Sequence, residues 1–338
     1  MQNVRSSAHH GTYVVTYDVA SRLQSFRTGT LKVPYQNDPL FKSFHSHLLK
    51  KMQRALPHVT IHTITMDAIR RKIWKQVDRR IQNKQTQVAL STCSEIADSN
   101  LKSEGLVLNI NRLFNTDGEI IGHGPRPRFE ALDKQLDTLV AQIAGRSIVL
   151  TEDGAFTGGT LRYVLKNLNE RGLKVTAIVI GFCCTKGLTV LQEVFDGELV
   201  IVDPLENLID WIPDHDLIPF IPNCGRVLGE RVSESFAPVR TLDGVSCAYP
   251  YILPFGKMGE WATLPPEGVR DISKLCLDTS IKLFSHIKGH RGHKITIGEL
   301  MQINPRVSMP IGIGSHKDIP PFDTEVVGFL EQMRRILE

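Results

Sequence analysis

The sequence predicts an α/β fold built on a doubly wound, mostly parallel sheet, and three observations predict it. Short apolar runs recur from Gln87 onward, at Val88–Leu90, Leu106–Ile110, Ser147–Leu150, Val175–Ile180 and Leu199–Val202, each bounded by polar or glycine-bearing turns. Between them the spacing turns helical: Leu161, Val164, Leu165 and Leu168 fall at i, i+3, i+4 and i+7, one face that packs on a sheet. Strand, helix and strand in alternation imply parallel pairing, and 338 residues with 41% hydrophobic and 22% charged content supply a sizeable core.

Three regions follow in order. Residues 1–84 form an N-terminal segment expected to pack on or cap the core. It holds a β-like run, Thr12–Tyr17, and a helix over Phe41–Leu56 whose Phe41, Phe44, Leu48, Leu49 and Met52 have core spacing. A basic helical stretch, Met66–Lys84, carries Arg70, Arg71, Lys72, Lys75, Arg79, Arg80 and Lys84; one charged helix reads as a solvated face rather than a nucleic-acid surface. Residues 85–203 contain the strand runs and form the core. Residues 204–338 become rich in proline and aromatics, through Trp211, Pro213, Pro219, Phe220 and Pro222 and again over Tyr249–Phe255, as ordered loops or caps do. Val326, Val327, Leu330, Met333, Ile336 and Leu337 outline a closing amphipathic helix.

Bulk chemistry narrows the function classes. A formal charge of +4 is small for this length and does not imply nucleic acid as a partner. The cysteines, Cys93, Cys183, Cys184, Cys224, Cys247 and Cys276, form no C-x-x-C pair, and no charged region with an apolar signal core opens the chain; a reducing cytoplasm is the expected compartment. No apolar run reaches the roughly 18 to 20 residues needed to cross a bilayer.

One loop carries chemistry. Arg146–Leu161 places the adjacent acids Glu152 and Asp153 at the carboxyl end of a buried strand, then runs through Gly154, Ala155, Phe156, Thr157, Gly158, Gly159 and Thr160 into a helix. Amides at a helix start are unpaired and lie at the positive end of the dipole, so they hold a phosphate without a dedicated lysine. Gly158 and Gly159 allow positive φ and close backbone approach, while Thr157 and Thr160 add hydroxyl donors. The ionised acids accept from the vicinal hydroxyls of a ribose one sugar-length away, directly or through hydrated Mg²⁺.

An apolar strand, two acids, two small or apolar residues and a Thr/Gly-rich phosphate turn, over Ile148–Thr160, resemble the signature of the type I phosphoribosyltransferases. The resemblance extends more faintly over residues 85–202. It implies a sheet of that family's kind, with the terminal segments forming a hood or lid, and a homodimer. It also implies the reaction: transfer of a 5-phosphoribosyl group from phosphoribosyl pyrophosphate to a nitrogen of a nucleobase or related heterocycle, with release of pyrophosphate. Glu152 and Asp153 would be the catalytic acids and, through water, the Mg²⁺ site. The family's pyrophosphate loop would fall on Ser91, Thr92, Cys93 and Ser94, although this segment has neither the glycine nor the lysine frequent there. A β-hairpin with a mobile, closing tip would fall on Leu106–Ile121 around the turn Asn115–Gly118. Arg126 and Arg128, on the proline-stiffened strip Gly122–Arg128, either neutralise departing pyrophosphate or belong to a rigid connector. For the acceptor base, Trp211 or Phe220 would stack and Asp214 or Asp216 would hydrogen-bond, with packing of a lid as the equal alternative. Tyr249–Trp261, with Lys257, is a candidate hood.

Two further clusters read as structural. His286, His290 and His293, beside Lys288 and Arg291, form a basic surface loop, since neighbouring cations repel a metal. Cys183 and Cys184 end a buried strand and pack. The competing class of function keeps the loop and drops the chemistry: a regulatory protein binding phosphoribosyl pyrophosphate or a nucleotide. A hydrolase or pyrophosphate-transferring enzyme on the same scaffold ranks third.

Overall fold

The computed structural model describes residues 11–27, 31–92, 94–97, 105–287, 294–313 and 319–338. Cys93 and the Lys288–His293 stretch, with His290 and Arg291, therefore lie outside the described residues.

The N-terminal segment contributes β1 (Gly11–Tyr17), the short α1 (Val19–Arg22), α2 (Pro39–Ala55), β2 (Val59–Thr65) and α3 (Met66–Arg80). Asp38 caps α2 by accepting from Leu40 N–H, and Thr65 caps α3 by accepting from Ala68 N–H, so each helix starts where a side-chain oxygen satisfies a first-turn donor. On α3, Met66, Ile69, Ile73, Trp74 and Val77 are buried against Val149, Ala177, Val179 and Phe182. Its cations face outward, with Lys72 on Asp203 at 2.8 Å and Arg80 on Glu198, as a solvated face requires.

The core then runs through β3 (Gln87–Ser91), β4 (Leu106–Val107), the hairpin β5 (Ile110–Phe114) and β6 (Ile120–Pro125), α4 (Leu132–Ile143), β7 (Ser147–Ala155), α5 (Gly159–Glu170), β8 (Val175–Cys183), α6 (Thr185–Val194) and β9 (Glu198–Ile201). β4, β3, β7, β8 and β9 lie side by side in that order, all parallel. Apolar residues of α4 and α5, among them Leu136, Leu139, Val164 and Leu168, cover one face, and α3 covers the other. Helices on both faces explain why β7 and β8 read as continuous apolar runs rather than alternating ones.

The remainder holds β10 (Leu208–Pro213), β11 (Arg226–Val227), β12 (Gly229–Val232), β13 (Ser235–Pro238), β14 (Cys247–Tyr249), α7 (Met258–Trp261), α8 (Pro266–His286), α9 (Ile297–Ile303), β15 (Met309–Pro310) and α10 (Val326–Arg335). β10 does not join the core sheet. It pairs in parallel with β1, which pairs in parallel with β2, giving a second sheet of three strands drawn from opposite halves of the sequence. One hydrophobic cluster accordingly joins Tyr13, Phe41 and Leu48 to Ile212, Phe220, Phe284 and Leu330. The N-terminal segment and the region after 204 thus share an interior. No helix among the described residues is long and apolar enough to cross a membrane.

The expected hairpin forms around Asn115–Gly118, and its tip is anchored. Tyr249 OH donates to the Asn115 carbonyl at 3.3 Å, and Lys257 pairs with Glu119 at 3.2 Å. A Cβ on Gly118, at φ 77°, would lie 2.8 Å from both Ile313 and Trp261, so the turn is pressed onto the C-terminal region.

Candidate functional site

In chain order the core strands run outward in one direction from β3 to β4 and in the other from β7 to β9, so the winding reverses between β3 and β7. At such a switch point the loops leaving the carboxyl ends of the two strands diverge and leave a crevice where ligands bind. A cavity of about 260 Å³ opens there. Thr92 and Glu95, after β3, line one side and the Glu152–Leu161 stretch lines another; the remaining walls come from β5, from β10 and from the segments around Arg226 and Trp261.

The acid pair occupies the end of β7. Ser91 and Thr151 pair across β3 and β7 and share a hydroxyl hydrogen bond of 2.7 Å, which closes the sheet just beneath the acids. Thr92 donates its hydroxyl to Glu152, and Asp153 accepts from Gly154 N–H at 2.8 Å. Burial first, and then the adjacent Asp153 carboxylate, push the Glu152 acid well above the usual carboxylate range; Thr92 and Arg126 pull the other way without offsetting them. Two adjacent carboxyls thus share a half-buried site.

The turn after the acids is shaped from behind by α6. Cys184 N–H donates to the Ala155 carbonyl at 3.0 Å, and a Cβ on Gly187 would stand 2.7 Å from that oxygen and 2.9 Å from the Phe156 carbonyl. The carbonyl side of the turn is thereby committed to α6. Gly158 takes φ 71° at the N-cap of α5, a conformation that costs a side-chain-bearing residue roughly 1–2 kcal/mol. From Gly159 onward the first amides of a 12-residue helix, unpaired by the rules of helix geometry, begin beside the cavity, with Thr157 Oγ1 as a weak 3.4 Å cap on Gly159.

Trp211 stands over this turn. A Cβ on Gly154 would lie 2.6 Å from its ring, and Phe156 meets it edge-on at 6.4 Å between centroids. Its neighbour Asp210 accepts from the Thr263 hydroxyl at 2.6 Å and from Trp211 N–H at 2.8 Å. Burial pushes Asp210 up to about 6 despite those hydrogen bonds and the nearby Arg226 and Arg112.

A third wall carries two guanidinium groups. Arg226 lies among three rings, 4.3 Å from the Trp261 centroid, 4.7 Å from Phe114 and 5.0 Å from Tyr251. The segments that carry Arg112 and Arg226 meet at a parallel bridge between Phe114 and Leu228. Both line the cavity.

A charged network lines another part of the crevice, through Arg22, Glu95, His215 and Asp216. Asp18 accepts from Arg22 and from His215 Nδ1 at 2.8 Å, His215 Nε2 faces Asp216 at 3.4 Å, and Arg22 reaches Glu95 at 3.4 Å. Burial opposes ionisation of Asp18, and Arg22 with His215 more than offset it, holding that acid well below its usual range. Burial likewise opposes ionisation of Glu95, yet Arg126 and Arg22 bring it down to about 2. For His215, burial and Arg22 disfavour the charged ring, and the Asp18 and Asp216 carboxylates outweigh them and raise its pKa.

No family model matches this sequence, and no curated protein matches it.

Of the residues singled out from sequence, Glu152 to Thr160, Thr92, Arg126, Trp211 and Asp216 come together in the cavity lining. Others go elsewhere. Ser91 is fully buried and bonded to Thr151; Ser94 is absent from the described lining, and Cys93 lies outside the described residues. Arg128 is exposed, at φ 74°, beyond the lining strip. Asp214 is a structural acceptor: it takes Asp18 N–H at 2.7 Å, Val19 N–H at 2.9 Å and His45 Nε2 at 2.8 Å. Phe220 is core, edge-on to Phe284 and Phe329, and stacks on no ligand space. Cys183 and Cys184 are buried, as their packing role requires. Arg112, Arg226, Asp210 and Glu95 were not anticipated. Their only sequence signal is polar residues within short β-like runs, which requires knowledge of strand pairing to interpret.

Proposed function

We propose that this chain is a phosphoribosyltransferase, transferring a 5-phosphoribosyl group from phosphoribosyl pyrophosphate to a ring nitrogen of a heterocycle and releasing pyrophosphate, on a sheet of the type I kind with a hood built from the terminal segments. The observation that carries the reading is the acid pair and glycine-bearing helix start together at the switch point of a parallel sheet. Amides from Thr157 to Thr160 would hold the 5-phosphate, and Glu152 and Asp153 would accept from the ribose hydroxyls.

Mg²⁺ fits the donor set. Two adjoining carboxyls at the cavity, whose mutual repulsion and burial disfavour the charged form of Glu152, gain when a cation joins them, and hard cations of this kind are held by one or two carboxylates together with substrate phosphates. When bound it would supply charge neutralisation on the pyrophosphate. The chain's own residues would do the rest. As the C1–O bond breaks, the electron pair leaves with pyrophosphate and the ribose becomes cationic, which the Glu152 and Asp153 side chains offset. The ring nitrogen forms the new C1–N bond; an N–H acceptor also gives up its proton, for which Asp210, with a pKa near 6, is an acceptor in the same cavity, whereas a pyridine nitrogen becomes a pyridinium with no proton to lose. Trp211, Phe156 and Trp261 exclude water that would otherwise intercept the sugar.

A second reading has its own support. Glu95 stays ionised in the segment after β3 and pairs with Arg126 at 3.6 Å, placing a fixed negative charge where pyrophosphate would lie. That favours a regulatory protein that binds a phosphoribosyl compound without turning it over. Magnesium-dependent pyrophosphate release over a panel of heterocycles separates the two. Transfer predicts release with at least one acceptor and its loss in Asp153→Asn with the circular dichroism unchanged; no release with any acceptor, alongside tight donor binding, selects the regulatory reading.

A further inference from the structure

We infer that the wall formed by Arg112 and Arg226 is a subsite for a planar carboxylate, so that the acceptor is an acidic aromatic heterocycle rather than a neutral base. This rests on the proposed transfer reaction for the word acceptor, but the subsite follows from geometry alone.

Two like charges side by side on neighbouring strands repel each other, and a chain keeps such a pair only where something of opposite sign relieves it. Arg112 and Arg226 both line the one cavity, on segments that meet at the parallel bridge between Phe114 and Leu228. Among the described residues neither guanidinium has a carboxylate within ion-pair distance. The carboxyl of Asp210, on the adjoining wall, lies near both guanidiniums without pairing with either, and it accepts from Thr263 and from Trp211 N–H. Arg226 donates a long 3.4 Å bond to the Trp261 carbonyl, and its Nε is buried with no hydrogen-bond partner.

The surroundings choose the kind of anion. Phe114, Tyr251 and Trp261 surround the Arg226 guanidinium, which also hydrogen-bonds the Tyr251 side chain and the Trp261 carbonyl, so its place in the wall is fixed, and Arg112 beside it in the lining adds a second cationic donor. An in-plane fork matches a carboxylate held in the plane of an aromatic ring. Pyrophosphate suits the place poorly, because a multiply charged group among aromatic walls would lose more hydration than one singly charged carboxylate. Trp211 and Phe156, across the cavity beside the phosphate turn, provide apolar faces for the ring itself.

Matched pairs of ligands test this: pyridine-3-carboxylate against pyridine-3-carboxamide, and uracil-6-carboxylate against uracil, titrated calorimetrically into the full chain. Ribose 5-phosphate and inorganic pyrophosphate are titrated into the same samples. The expected result is binding at least about tenfold tighter for the carboxylate of one pair, the scale of one charge-assisted hydrogen-bond pair. Arg112→Gln and Arg226→Gln should each close that gap to about twofold and leave ribose 5-phosphate affinity unchanged. Arg112→Gln keeps the result interpretable should the ring cluster around Arg226 fail to fold without it. Equal binding of neutral and acidic partners overturns the inference, as does a loss of pyrophosphate affinity in both variants with any carboxylate preference intact. Carboxylate preference without ribose 5-phosphate binding would uphold the subsite and remove the transferase reading instead.

Discussion

Replacing Gly187 by alanine tests the phosphate turn from behind, through two of its carbonyls, without altering any side chain that would meet the ligand. The added Cβ would sit 2.7 Å from the Ala155 carbonyl and 2.9 Å from that of Phe156. Carbon to carbonyl-oxygen contacts settle near about 3.3 Å, so the turn and α6 must separate by roughly half an ångström. Overpacking of this kind costs about 1–3 kcal/mol of stability. Because Cys184 N–H also holds the Ala155 carbonyl, the shift is delivered to the turn rather than absorbed by a side chain. A displacement of about 1 Å can cost a hundredfold at a site that depends on placement, so half of it predicts about a tenfold loss of affinity for ribose 5-phosphate. Calorimetric titration measures the affinity and urea unfolding the stability. Gly172→Ala is the control: φ is 71° and nothing lies within 4 Å of the added methyl, so it strains the chain by a comparable amount far from the turn and leaves affinity unchanged. Unaltered ribose 5-phosphate affinity in Gly187→Ala, with its unfolding midpoint lowered, would refute the placement of the phosphate.

Other expectations follow from the charges and the core. The Glu152 acid is raised above its unfolded value, so the stability it permits is present at low pH and lost as pH rises through its folded pKa; Glu152→Gln should raise the melting temperature more at pH 8 than at pH 5, and a pH-independent difference would contradict the shift. Binding of magnesium and phosphoribosyl pyrophosphate should release a proton from that group, read as a dependence of the calorimetric heat on buffer ionisation enthalpy. Arg22→Met should cost about 3 kcal/mol in urea unfolding, because it removes the guanidinium shared by the buried Asp18 and Glu95 and leaves them only His215 and Arg126 as cationic partners. With Glu95 at about 2, its contribution in the wild type is present above pH 4.5 and is lost as pH falls through about 2, so the variant's deficit should shrink on acidification. Phe220→Ala should cost about 3–5 kcal/mol and leave heterocycle affinity intact once the protein is folded, whereas Trp211→Leu should weaken binding with the smaller loss of stability.

What the sequence made legible follows from where the constraints are local. Val88–Leu90, Ser147–Leu150 and Val175–Ile180 were readable as strands because both faces are covered and the residues are continuously apolar; the structure extends the last two to Ala155 and Cys183, across glycines and acids that interrupt the apolar pattern. The helix start at Gly159 was readable from its glycines and threonines, since the turn's requirements lie within a few residues. Leu106–Ile110 was read as one run and is two strands, because the chain leaves β4 for the hairpin at Leu108 and Asn109. The second sheet was not legible at all. Leu208–Pro213 alternates buried and half-buried positions, but its proline and tryptophan masked the pattern, and its partner β1 is nearly the whole core away in sequence. That pairing places Trp211 and Asp210 in the cavity and turns Asp214 away from it. The same limit hid Arg112 and Arg226, which share the cavity because chain segments more than a hundred residues apart meet beside β5.

The central claim is that amides from Thr157 to Thr160 hold a phosphate while Glu152 and Asp153 hold its sugar. Calorimetry of ribose 5-phosphate and of phosphoribosyl pyrophosphate, with magnesium present, tests it most directly in the wild type beside Asp153→Asn and Gly187→Ala. Saturable uptake of both ligands, weakened in each variant, is the predicted result; no uptake of either ligand by the folded wild-type chain would contradict it.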